Sequence, residues 1–182
     1  MIHLTTGLPG AGKTLSAVQQ LFELKRKHPE RPIYSCGIDG LKDGIAMPLI
    51  SPHEWQDLPD GSIIFVDEAQ KWFPAKRGGE PIPPIAALSE HRHRGFDFFL
   101  VTQHPNLIDV YVRRLVGTHM HVLRKFGGFT CERVTWGECV DDPQSMTMRK
   151  RGISHVWRYP KDLFKFYDCL LYTSDAADER SS

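Results

Sequence analysis

One octapeptide near the start of the chain, Gly7-Leu8-Pro9-Gly10-Ala11-Gly12-Lys13-Thr14, constrains the fold more than any other feature. It fits the spacing G-x-x-x-x-G-K-[ST], which works only as a turn between a buried strand and a helix. The flanks agree: Met1-Ile2-His3-Leu4-Thr5-Thr6 reads as a short strand and residues 13–27 as a helix. Such a turn points several backbone N–H groups into one concavity, with the positive end of the helix dipole behind them, an arrangement suited to a triphosphate. Lys13 is expected to reach the β- and γ-phosphates, and Thr14 to offer its hydroxyl to Mg²⁺. Gly7, Gly10 and Gly12 permit the close approach that a Cβ would obstruct. The expected nucleotide-binding segment is therefore Gly7, Leu8, Pro9, Gly10, Ala11, Gly12, Lys13, Thr14 and Leu15.

A loop of this kind predicts an acidic partner at the end of a second buried strand. Ser62-Ile63-Ile64-Phe65-Val66-Asp67-Glu68 supplies it: four large apolar residues in a row read as a strand buried on both faces. Asp67 then stands at the C-terminal edge, where open α/β sheets bind ligands, as a metal-site carboxylate. Glu68 suits a general base for an attacking water, which favours hydrolysis of ATP over transfer to a small acceptor. The alternative is that Glu68 merely opens the next helix. A third run, Phe96-Asp97-Phe98-Phe99-Leu100-Val101-Thr102-Gln103, also turns polar at its end. The Gln103 amide can sense the γ-phosphate or orient the water, or else cap the following His104-Pro105-Asn106 loop.

At 182 residues a single α/β core is expected, and an apolar fraction of 41% is enough to fill it. A formal net charge of +1 gives no global signal for polyanion binding. Cys36, Cys131, Cys139 and Cys169 form no C-x-x-C pair, which argues against zinc and for free thiols in a reducing compartment. No signal peptide opens the chain, and no run approaches the roughly 20 apolar residues that span a bilayer. Further expected elements are a strand at 31–35, a loop at 37–52 and a helix start at Ser51-Pro52 with Trp55 and Leu58 facing inward. An irregular insertion follows at 70–84, then helices at 85–94 and 107–115, and strands at 118–124 and 129–135 around a Gly127-Gly128 turn. An edge strand near 153–159 completes the order. Strands alternating with helices predict a P-loop NTPase fold: a parallel, doubly wound sheet with helices on both faces.

The combination of the N-terminal P-loop, Phe65-Val66-Asp67-Glu68-Ala69-Gln70, His91-Arg92-His93-Arg94-Gly95 and Thr102-Gln103 resembles the zonular occludens toxin family, which includes assembly proteins of filamentous phages. Asp109, Arg113, Leu115 and the His119-Met120-His121 strand fit as well. The resemblance covers residues 1–125 well and the rest loosely. It implies an ATPase domain on the cytoplasmic side of the bacterial inner membrane, followed by one transmembrane helix and a periplasmic tail. Neither is found in these residues, so the membrane would be reached only through a segment missing from this chain. In members that act as toxins the activity is attributed to the C-terminal part, and this chain gives no support for it. Residues 170–182 resemble translated sequencing-adapter read-through and are expected to be a non-native tail, with the ATPase domain covering 1–169.

P-loop ATPases that work as rings complete their site with an arginine from the neighbouring copy. Arg92, Arg94, Arg113 and Arg114 are the available side chains, with Arg94 and Arg113 the preferred pair; each could equally be a solvated surface residue. His91 and His93, and likewise His119 and His121, read as structural or interfacial rather than metal-binding. Arg149-Lys150-Arg151 suits phage single-stranded DNA, anionic lipid or a plain solvated turn. Two functions stand beside each other: an ATPase motor driving phage extrusion as a homo-oligomeric ring with other assembly proteins, and a nucleotide-gated interaction module without appreciable turnover. A small-molecule kinase would need an arginine-rich lid, for which 70–84 offers only Lys76 and Arg77.

Overall fold

The computed structural model describes residues 1–38, 45–125, 130–160 and 162. Strands β1 (Ile2–Gly7), β2 (Ile33–Cys36), β3 (Met47–Pro48), β4 (Ile63–Val66), β5 (Asp97–Thr102), β6 (Val116–Arg124), β7 (Thr130–Trp136) and β8 (Ile153–Arg158) form one sheet. Their order across it is β3-β2-β4-β5-β1-β6-β7-β8. From β3 to β6 every pairing is parallel; β7 and β8 join antiparallel. The sheet is thus mixed, a parallel P-loop core extended by an antiparallel edge. This edge arises because β6 and β7 are too close in sequence for the crossover that a parallel pair needs.

Burial on two faces explains the unbroken apolar runs of β4 and β5. Helix α1 (Lys13–Lys27) lays Ala17, Val18 and Leu21 on Ile33, Ile63, Phe65, Phe99 and Val101. The alternate residues Ile2, Leu4, Ile64, Val66, Phe98 and Leu100 face the other way. They are covered by Trp55, Phe73, Ile85, Leu88 and Val112, drawn from short helices and connecting loops.

Those short elements depart most from expectation. The helix predicted over 85–94 is a single turn, α2 (Pro83–Ala86), tightening into a 3₁₀ turn at Ala87–Glu90. Pro83 at its first position, with no residue N–H to lose, sets the earlier start. Ser51 caps a 3₁₀ helix at Pro52–Asp57, accepting from the His53 N–H at 3.2 Å, and Trp55 is buried as expected. The insertion at 70–84 is less irregular than its composition suggests: Phe73 enters the core, and Pro74 bridges to Ile108. Helix α3 (Val110–Leu115) starts later than expected because Asp109, accepting from the Tyr111 N–H at 2.7 Å, fixes its N-cap. The Arg149-Lys150-Arg151 run ends helix α4 (Met146–Arg151), where cations suit the dipole. The Gly127-Gly128 turn, Cys169 and residues 170–182 lie outside the described residues. No helix among the described residues is long and apolar enough to cross a membrane.

Candidate nucleotide-binding site

The strand order places β5 between β1 and β4, so the ends of all three strands meet at one crevice. Gly7 ends β1 with its N–H on the Gln103 carbonyl at 3.2 Å, which ties the P-loop to the end of β5. A Cβ at Gly7 would come within 2.8 Å of the Val122 carbonyl. Gly12 occupies the N-cap of α1 with φ +86°, a left-handed conformation that costs other residues about 1–2 kcal/mol. No side chain caps this helix, and its first turn holds no acidic residue. Its leading N–H groups therefore face the crevice as donors for an anion.

Across the crevice the Thr14 hydroxyl donates to Asp67 Oδ2 at 3.3 Å, joining residues 53 apart in sequence. Asp67 is held from behind by its own N–H on the Cys36 carbonyl, 3.0 Å. Its Oδ1 accepts from the Glu68 N–H at 2.9 Å. Burial raises the Asp67 carboxyl above its ordinary range, with Lys13 and the Thr14 hydroxyl pulling the other way. A hydroxyl and a half-buried carboxylate this close are hard oxygen donors, the set that Mg²⁺ takes. No group of three or more His, Cys, Asp or Glu suited to a metal occurs among the described residues.

Glu68 is the one non-glycine with positive φ among the described residues, at φ 49° and ψ 48°. Strain of this kind, about 1–3 kcal/mol, concentrates where function requires it. Glu68 does not open a regular helix through its side chain; a three-residue 3₁₀ turn, Ala69–Lys71, follows it without a side-chain cap. Its carboxylate accepts from the Gln70 amide. The other end of that amide accepts from the Thr102 hydroxyl at 2.8 Å, and Thr102 is buried at the end of β5. Gln103 is exposed at the mouth of the crevice; the cap on the following turn is His104, whose Nδ1 accepts from the Asn106 N–H.

The expected arginines stand elsewhere. Arg94 precedes β5 and lies at the N-terminal edge of the sheet, the full length of β5 from the P-loop, roughly 17 Å at 3.3 Å per residue. Its guanidinium bonds Asp60 Oδ1 at 2.7 Å and the Gln56 and Leu58 carbonyls, and lies over Trp55 and Phe96. Arg94 is thus a clamp within its own chain. Arg113 pairs with Asp141 at 3.0 Å and lines a cleft of about 370 Å³ with Arg114, Glu138 and Cys139. Neither arginine enters the crevice of its own chain.

Two further contributors carry little or no sequence signal. Gln70 could have been suspected from its place two residues beyond Glu68. Tyr159, at the far end of β8, donates its hydroxyl to the Ala11 carbonyl at 2.9 Å. A Cβ on Gly12 would stand 2.4 Å from its ring. A separation of 148 residues leaves no local trace of that contact. His119 and His121 are fully buried on Thr6 at 2.7 and 2.8 Å, structural as expected.

A family profile described as Zonular occludens toxin (Zot) matches residues 46–174. An assembly protein, ORF301 of Pseudomonas phage Pf3, is 35% identical over 175 residues, covering 92% of this chain and 57% of the phage protein. The chain therefore spans little more than half the length of that curated relative. The crystal structure of the N-terminal domain of zonular occludens toxin from Neisseria meningitidis is similar, with TM-score 0.79 and 32% identity over 92% of this chain and 98% of that one. The genome packaging NTPase B204 of Sulfolobus turreted icosahedral virus 2, in complex with ATP-gammaS, shares the fold at TM-score 0.61 and 11% identity, covering 87% and 97% of the two chains.

Proposed function

The chain belongs to the zonular occludens toxin family, and from that premise we propose that it is the ATP-binding and ATP-hydrolysing part of a filamentous phage assembly and extrusion protein. The observation that carries this reading is the 3.3 Å contact of Thr14 with Asp67 in front of the uncapped end of α1. Phosphate and metal donors converge there from two strands separated by a third.

In this reading the N–H groups of residues 10–15 and the Lys13 ammonium hold the β- and γ-phosphates. Thr14 and Asp67 would hold Mg²⁺, which would neutralise phosphate charge. Glu68 takes the proton of an attacking water, and Gln103 orients that water or senses the γ-phosphate. Copies assemble as a ring on the cytoplasmic face of the inner membrane, with other phage assembly proteins and phage single-stranded DNA as partners. Arg94 and Arg113 both stay candidates for a neighbour's site, since their ion-pair partners Asp60 and Asp141 are 69% and 84% exposed and can be exchanged.

The nucleotide-gated module without appreciable turnover is favoured by one observation: both arginines are engaged within their own chain. Glu68→Gln separates the readings. Hydrolysis predicts retained ATP affinity with turnover down about 100-fold or more, while Lys13→Ala loses binding. Turnover unchanged by Glu68→Gln would leave the gated module.

A further inference from the structure

The groups around Glu68 form a connected path. Gly7 of the P-loop donates to the Gln103 carbonyl. Thr102, one residue earlier and fully buried, donates to the Gln70 amide oxygen at 2.8 Å. The same amide donates through its nitrogen to the Glu68 carboxylate. The Glu68 end fixes the flip state of this amide: reversing it would set its oxygen against a carboxylate, whereas the Thr102 hydroxyl can donate or accept. Glu68 meanwhile sits in the left-handed region, so nothing in a regular helix ladder determines where its side chain points.

We infer that Gln70 and Thr102 are positioning residues that hold the Glu68 carboxylate and link its placement to the end of β5, which also meets the P-loop. A change at Gln103 when a γ-phosphate is present would pass to Thr102, from there to the Gln70 amide, and so to Glu68. This rests on the hydrolysis reading for its consequence, though the link itself is a property of the chain without nucleotide.

The test uses the whole chain, with Thr102→Val to remove the hydroxyl at constant shape, Thr102→Ser to retain it, and Gln70→Ala. Gln70 is only half-buried, so Gln70→Ala keeps a folded variant in hand should Thr102→Val fail to fold. The first readout is the side-chain carboxyl ¹³C resonance of Glu68, assigned through Glu68→Gln. It moves in Thr102→Val and Gln70→Ala and stays in place in Thr102→Ser. The second is the split between kcat and KM for ATP: kcat falls about tenfold or more in Thr102→Val and Gln70→Ala with KM held, and Thr102→Ser restores it. A Glu68 resonance indifferent to both Gln70→Ala and Thr102→Val overturns the link, as does a parallel loss of kcat and nucleotide affinity. A wild-type chain without turnover sinks the hydrolysis reading instead, and the resonance still decides the link.

Discussion

Glu68 shows how a single residue carries conflicting demands. In the left-handed region it costs about 1–2 kcal/mol relative to glycine, and it stays there because Asp67 Oδ1 accepts its N–H while Gln70 holds its carboxylate. Glu68→Gly is therefore expected to be at least as stable as Glu68→Ala, with a difference of up to about 1 kcal/mol after the extra chain entropy of glycine. Urea unfolding of the two variants checks this, and a clearly more stable alanine variant would show that the strain is absent. Asp67 and Glu68 were legible in sequence because an apolar run ending in acids has few meanings. The partnership of Glu68 with Gln70 was not, since it depends on a backbone turn that the letters do not announce.

The elements that hold the site fall into two groups. β1, β4, β5 and α1 follow from periodicity and the P-loop spacing, and the structure has them within a residue or two of expectation. The short elements on the opposite face do not, because a three- to six-residue helix has no period to read and is fixed by its contacts. Phe73 belongs to this group: it is 1% exposed, in a stretch whose Gly, Pro and charge suggest a loop. Phe73→Ala is expected to cost about 3–5 kcal/mol, lowering Tm by many degrees in a thermal melt. Tyr159 links β8 to the P-loop, and Tyr159→Phe leaves the Ala11 carbonyl without that donor, a loss of about 1 kcal/mol. Its packing on Gly12 is retained in that variant, so ATP affinity should change little. Tyr159→Ala, which also removes the ring, should weaken both stability and nucleotide binding.

At the scale of the molecule, acid sensitivity follows from the buried histidines. Burial pushes His119 down to about 3 and His121 to about 4 from an ordinary 6.5; His104 disfavours the charged form of both, and Arg149 that of His121, which Asp142 favours. A depressed histidine is neutral in the fold, so the unfolded chain binds more protons between those values and stability falls as pH drops from about 6.5 towards 4. Asp97 acts lower: bonds from His3, Arg31 and the N-terminus outweigh its burial and hold its carboxyl well below the ordinary 3.8. Its contribution is present above that value and is lost as acid is added beyond it. Melting temperature against pH should thus decline through the histidine window, and His121→Asn, which keeps an acceptor for Thr6, should flatten that decline. The fold, the family and the crevice were legible in sequence; the in-chain engagement of Arg94 and Arg113 was not, because ion pairs across 28 and 34 residues leave no pattern. The central claim, that this crevice binds and hydrolyses ATP, is tested most directly by turnover per subunit of the purified chain with Mg²⁺ across a range of protein concentrations, beside Lys13→Ala and Glu68→Gln. Turnover that rises with concentration as copies assemble and disappears in both variants is the predicted result; a flat background rate that neither substitution changes would contradict it.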